Sequence, residues 1–226
     1  MHSAAKALPD ARLTRLAQIF SSERILPAPV SFVDIAGIVR GASEGEGLGN
    51  KFLSHIREVD AIIQVVRCFE SSDIHHVAGT VDPVRDIEVI NTELILADLA
   101  SVKKRAERNQ KAARSGDKAA KAEVALAEKL IPHLDSGKPA LTFELADSEK
   151  DILRGFFLLT SKPTLFACNV GENDLANLEG DSAAAKHVCA VRDYASKHLG
   201  CGAVVISAQI ESELVDLPEA DAHEYL

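Results

Sequence analysis

The sequence predicts an α/β fold: a doubly wound, mostly parallel sheet with an antiparallel α-helical hairpin inserted into it. Three observations lead there. Short continuous runs of β-branched and apolar residues recur at 30–36 (VSFVDIA), 61–69 (AIIQVVRCF), 164–169 (TLFACN) and 203–207 (AVVIS). Such runs suit strands covered on both faces of a parallel sheet. Helical spacing fills about Leu48 to Glu58 and residues 183–199, and strand–helix alternation marks a doubly wound domain. Residues 86–134, by contrast, carry no strand signal.

In that interruption Ile87, Ile90, Leu94 and Ala97 step by three and four, which puts them on one helical face. RSGDK, from Arg114 to Lys118, supplies a turn, after which Val124, Ala127, Leu130 or Ile131, and Leu134 resume helical spacing. The predicted plan is a sheet domain contributed by 1–85 and 135–226, with the hairpin at 86–134 projecting from it. Between Lys103 and Lys121 stand eight basic residues (Lys103, Lys104, Arg105, Arg108, Lys111, Arg114, Lys118, Lys121) against Glu107 and Asp117. That local excess of six, in a chain of net charge −9, leaves the remainder at −15. A charge run is ordinarily a solvated helix surface. Its concentration at a hairpin tip in an acidic chain makes contact with RNA or the ribosome the alternative, on electrostatics alone.

The 226 residues are 46% hydrophobic and 26% charged, enough for one sizeable core or a core with an appendage. The negative balance argues against DNA binding by the whole chain. Cys68, Cys168, Cys189 and Cys201 form no C-x-x-C pair and read as buried thiols of a reducing cytoplasm. His187, Cys189, His198 and Cys201 match no common zinc spacing. No stretch approaches a membrane span or a signal peptide, so no membrane partner is expected.

Ligands of open α/β sheets bind beyond the carboxyl ends of the strands. Asp34 ends the first apolar run, where a carboxylate can hold Mg²⁺, usually through water. Gly37, three residues on, lets a backbone N–H approach a γ-phosphate. D-x-x-G alone is weak and also describes a plain turn. GEGLGNKF fails the Walker pattern G-x-x-x-x-G-K-S/T, because Asn50 separates Gly49 from Lys51 and Phe52 replaces the hydroxyl residue. Asn169 ends another strand with Glu172 three residues later, where such a sheet reads a base. A guanine reader uses an Asp there, and Glu172 is one methylene too long for the same two-point fit. Taken singly, the pair also reads as a helix cap. Ser207 and Ala208 end the last strand and can offer a backbone N–H to the base.

In company, these residues resemble a known family. FVDIAGIVRGASEGEGLGNKFLSHIREVDAIIQVVRCFE, with DIEVINTELILADL and NVGE at 169–172, is similar to the YchF-type Obg-like ATPases, a branch of the translation-factor P-loop NTPases. The similarity runs from about Pro9 to Leu217. The resemblance implies ATP hydrolysis in preference to GTP, Mg²⁺ as cofactor, a cytoplasmic protein and association with the ribosome through rRNA. Asp34 and Gly37 would sense Mg²⁺ and the γ-phosphate. Ile38 would stand where related GTPases carry a catalytic Gln, and His76, beside His75, would orient the water. Asn169, Val170 and Glu172 would form the altered base loop, completed by Ser207 and Ala208. The hairpin's Lys103, Lys104, Arg105, Arg108, Lys111 and Arg114 would meet the ribosome.

Departures from the family pattern carry expectations too. Neither a Walker loop nor the family's TGS domain is recognisable, which reads as a fragment of an incomplete P-loop NTPase G domain. The strand missing from the usual order lies between 30–36 and 61–69. Those two strands are then expected to pair with each other or to leave exposed edges. ATP binding and hydrolysis by this polypeptide alone are expected to be poor, since phosphate clamping supplies most of such catalysis. The alternative is a non-catalytic RNA, ribosome or protein module acting through the basic hairpin.

Overall fold

The computed structural model describes residues 3–35, 48–71, 80–178, 180–215, 217–218 and 221. The chain forms two compact units, residues 1–38 and 39–226.

The first unit contains β1 (Ser3–Ala7), α1 (Ala11–Phe20) and β2 (Pro29–Val33). The strands pair antiparallel from Ser3 opposite Val33 to Ala7 opposite Pro29. Asp10 caps α1, its carboxylate accepting from the Arg12 N–H at 2.9 Å and from the Arg12 guanidinium. This corrects the sequence reading of residues 30–36. The run was expected to be a buried parallel strand; instead β2 ladders with β1, and Val30 and Phe32 are exposed. An apolar run reports a preference for extended backbone but not which strand will pair with it. The partner, SAAKA, is too short and small-sided to signal a strand.

In the second unit α2 (Leu48–Glu58) precedes β3 (Ile62–Arg67). The chain then runs through α3 (Pro83–Arg114), α4 (Lys118–Asp135), a short 3-10 turn at Ala140–Thr142 and α5 (Asp147–Arg154) before β4 (Thr164–Asn169). It continues through α6 (Glu172–Leu175) and α7 (Ala183–Tyr194), a π-turn at Ala195–Leu199, β5 (Ala203–Ile206) and α8 (Ala208–Val215). The sheet order is β3-β4-β5, all parallel, with Ile62 opposite Thr164 and Phe166 opposite Ala203. Both crossovers carry helices, as parallel neighbours require.

Two apolar clusters organise this unit. Val66, Cys68, Phe166, Cys168 and Val170 of one sheet face meet Ile87 of α3 and Ala184, Val188 and Val191 of α7. Farther along α3, Ile95, Leu99 and Val102 pack on Leu126, Leu130 and Leu134 of α4 and on Leu153, Phe156 and Leu158. One continuous helix thus belongs to both cores. Asp82 caps α3 by accepting from Arg85 N–H at 3.1 Å, with Pro83 next, where its missing donor costs nothing. Asp117 caps α4 in the same way through Ala120 N–H at 3.0 Å, so the turn read as RSGDK also starts the second helix.

Asp98 fixes the hairpin to the sheet side. It is fully buried, and its carboxylate accepts from the Leu159 and Thr160 N–H groups at 2.8 Å each and from the Thr160 hydroxyl at 2.7 Å. The Thr160 oxygen in turn accepts from Ala140 N–H at 2.9 Å. Burial pushes the Asp98 carboxyl above its ordinary range, against the pull of those three donors.

Candidate nucleotide-reading site

The parallel register places Asn169, at the end of β4, opposite Ile206, at the end of β5. Val170 N–H donates to Ile206 O at 2.9 Å and Cys68 N–H donates to Asn169 O at 2.8 Å. Asn169 is therefore anchored by main chain toward β3 while its side chain turns to the other neighbour. There Asn169 Oδ1 accepts from the Ala208 N–H at 2.9 Å. Two residues singled out 39 positions apart are in direct contact. The Ala208 N–H suggested as a base donor already has a protein acceptor, so a ligand must share or displace that bond.

Ser207 is 3% exposed, and its Oγ has no hydrogen-bond partner among the described groups. An unpaired buried hydroxyl costs about 1–3 kcal/mol. The Val170 side chain lies in the sheet core, so only its backbone faces outward. Glu172 opens α6 and is exposed.

Two neighbours escaped the sequence reading. A Cβ on Gly171 would stand 3.0 Å from Asp174 Oδ2 and 3.9 Å from Phe69 Cβ. Asp174 thus folds back over the loop, and Phe69 borders it. The Arg67 guanidinium lies 4.7 Å over the Phe69 ring, and Arg67 Nε donates to Phe69 O at 3.0 Å. The acid two residues beyond Glu172 was the available signal for the first; nothing local signalled the second.

Asp34 belongs to the first unit, directly after β2, and is exposed. An exposed carboxylate with no metal-holding cluster around it among the described residues fits a hydrated Mg²⁺ held through water, not an all-protein cage. Gly37, Ile38, His75 and His76 lie outside the described residues. Among the described residues, no cluster of three or more His, Cys, Asp or Glu side chains is placed to hold a metal ion, and no helix is long and apolar enough to cross a membrane.

On the hairpin, Lys103, Lys104, Arg108, Lys111 and Arg114 are exposed. Arg105 differs. Its guanidinium bonds both oxygens of Glu123 at 2.8 and 2.9 Å, donates to Gly155 O, and lies 4.5 Å over the Phe156 ring. The contact holds the Glu123 carboxyl below its ordinary range. Arg105 fastens α3 to α4 and the segment after α5, which leaves it little to offer a phosphate.

The family model described as 50S ribosome-binding GTPase matches residues 3–87, from β1 to the first turns of α3. The ribosome-binding ATPase YchF of Pasteurella multocida is 46% identical over 219 residues, covering 97% of this chain and 58% of that protein. The YchF of Bacillus subtilis is 44% identical with the same coverage, and Obg-like ATPase 1 of Saccharomyces cerevisiae is 38% identical, covering 97% and 56%. A solved structure of the Schizosaccharomyces pombe YchF GTPase superposes with a TM-score of 0.79 at 33% identity, covering 99% of this chain and 60% of that one. The chain belongs to the YchF/Obg-like ATPase family. It has the α/β P-loop GTPase-like fold of the YchF structure, with a parallel sheet among mixed helices. It spans a little under three fifths of the length of these curated YchF relatives. The match to the GTPase family model includes Asp34 and ends before the basic part of the hairpin.

Proposed function

We propose that this chain carries the base-reading part of an ATP site and presents its hairpin to ribosomal RNA in the cytoplasm. The observation that carries the first half is the 2.9 Å link from Ala208 N–H to Asn169 Oδ1, beside a Ser207 hydroxyl that has no hydrogen-bond partner among the described residues. These groups sit at strand carboxyl ends, where α/β sheets take ligands. Asn169, Ser207 and Ala208, with the Val170 backbone, contact the base. Glu172, longer than the acid that grips guanine, tilts preference to adenine. Asp34 holds Mg²⁺ through water, and the ion when bound neutralises charge on the phosphates. Gly37 donates its N–H to the γ-phosphate and His76 orients the attacking water.

These 226 residues contain no G-x-x-x-x-G-K-S/T stretch, so this polypeptide alone binds ATP weakly and hydrolyses it poorly. Titration with ATP, alone and with a Walker-loop segment of a relative fused ahead of Met1, tests this. Weak affinity that tightens on fusion is expected; micromolar affinity for the chain alone refutes the weakness.

A second reading, a non-catalytic RNA or ribosome module, is favoured by one observation. Among the described residues, Lys103, Lys104, Lys111 and Arg114 make no ion pair, whereas Arg108 lies near enough to Glu123 to help hold its carboxyl down. Uncompensated cations on one helix suit phosphates. Ribosome binding without ATP affinity, even in the fused chain, would select this reading.

A further inference from the structure

We infer that Phe157 is a base-stacking anchor for unpaired RNA, working beside the basic stretch of α3; the inference rests on the RNA reading of the hairpin. Phe157 is 66% exposed and its backbone sits at φ +51°. That left-handed conformation strains a bulky side chain, whereas Gly or Asn enters it readily. Strain of this kind persists only where the surroundings impose it.

Both flanks are imposed here. On one side Arg105 donates to Gly155 O and covers the Phe156 ring. On the other, the Leu159 and Thr160 N–H groups donate to Asp98 at 2.8 Å. Phe157 N–H itself closes on Arg154 O at 3.2 Å. The segment is pinned along α3 between Asp98 and Arg105. Phe156 and Leu158 turn into the hairpin core, and Phe157 turns out. The same reach of α3 begins the basic run, with Lys103, Lys104 and Arg108 exposed. Cations to hold phosphates beside an exposed ring to stack a base are the chemistry that takes single-stranded RNA. A duplex, its bases stacked inward, offers that ring nothing.

The test titrates the full chain with a labelled short single-stranded RNA, and with a duplex of the same sequence, at several salt concentrations. Phe157→Asn removes the ring and relieves the backbone, while Phe157→Trp keeps an aromatic face. Phe157→Asn is expected to melt at the same or a higher temperature and to bind the single strand about five- to a hundredfold more weakly, the worth of one base stack. Its salt slope should match the parent's, because the phosphate contacts remain. Phe157→Trp should retain parent affinity, and Lys104→Glu should flatten the slope. Equal affinity of parent and Phe157→Asn, or a parent preference for duplex, overturns the stacking role and leaves the hairpin reading standing. A parent chain with no salt-dependent RNA affinity overturns both.

Discussion

Asn169 does two jobs with one side chain and one carbonyl, tying β4 to β3 and to the start of α8. Asn169→Ala should therefore weaken ATP binding while leaving RNA binding by the hairpin intact, as calorimetry with each ligand would reveal. Asp98 is the counterpart in the hairpin. Asp98→Asn leaves at least one buried donor without an acceptor and should cost about 1–3 kcal/mol of stability, read by denaturant unfolding. Because the folded Asp98 pKa is raised, its stabilising contribution is full below the unfolded carboxylate range and declines as pH rises through the folded value. The stability gap between parent and Asp98→Asn should accordingly narrow as pH increases. Arg105 illustrates what composition hides. In the sequence it is one of eight cations in the run, and only packing reveals that Glu123, Gly155 and Phe156 have claimed it. Arg105→Gln should lower the melting temperature, a loss that Lys104→Gln on the exposed surface should not cause.

Helices and strands with a strong period of their own are legible in the sequence. The spans of α2, β4, β5, α7 and the hairpin follow directly from apolar runs, helical stepping and the Ser-Gly-Asp turn. β1 was not legible, because Ser, Ala and Lys carry no β signal, and with it went the true partner of β2. The site was legible in part for the same reason. Strand ends pointed to Asn169 and Ala208, which the fold brings into hydrogen-bond contact, but neither the inward turn of Val170 nor the approach of Asp174 and Phe69 to Gly171 has a local cause. At the hairpin, replacing Lys104, Arg108 and Lys111 with Glu should weaken ribosome binding and reduce its salt slope by about one for each phosphate no longer engaged. Sedimentation at several salt concentrations checks this, and Arg105 is left unaltered so that the helices stay fastened.

The sheet of the second unit is small, with β3 and β5 as its edges among the described residues. Ile63, Val65 and Val204 leave one of its faces apolar and exposed. Open edges with apolar faces favour association between chains, so Val65→Lys should raise the concentration at which light scattering detects aggregates. The chain shares the fold of the Schizosaccharomyces pombe YchF structure across 99% of its length, yet its 226 residues hold no G-x-x-x-x-G-K-S/T stretch, which is why the proposed function has them bind nucleotide weakly by themselves. The most direct measurement is one that tolerates weak binding: the ¹⁵N–¹H spectrum of this chain titrated with ATP and, separately, with GTP. A base-reading site at the ends of β4 and β5 predicts saturable shifts at Asn169, Gly171 and Ala208 that grow at lower concentrations of ATP than of GTP. Shifts confined to the hairpin, or an equal response to both nucleotides, would contradict it.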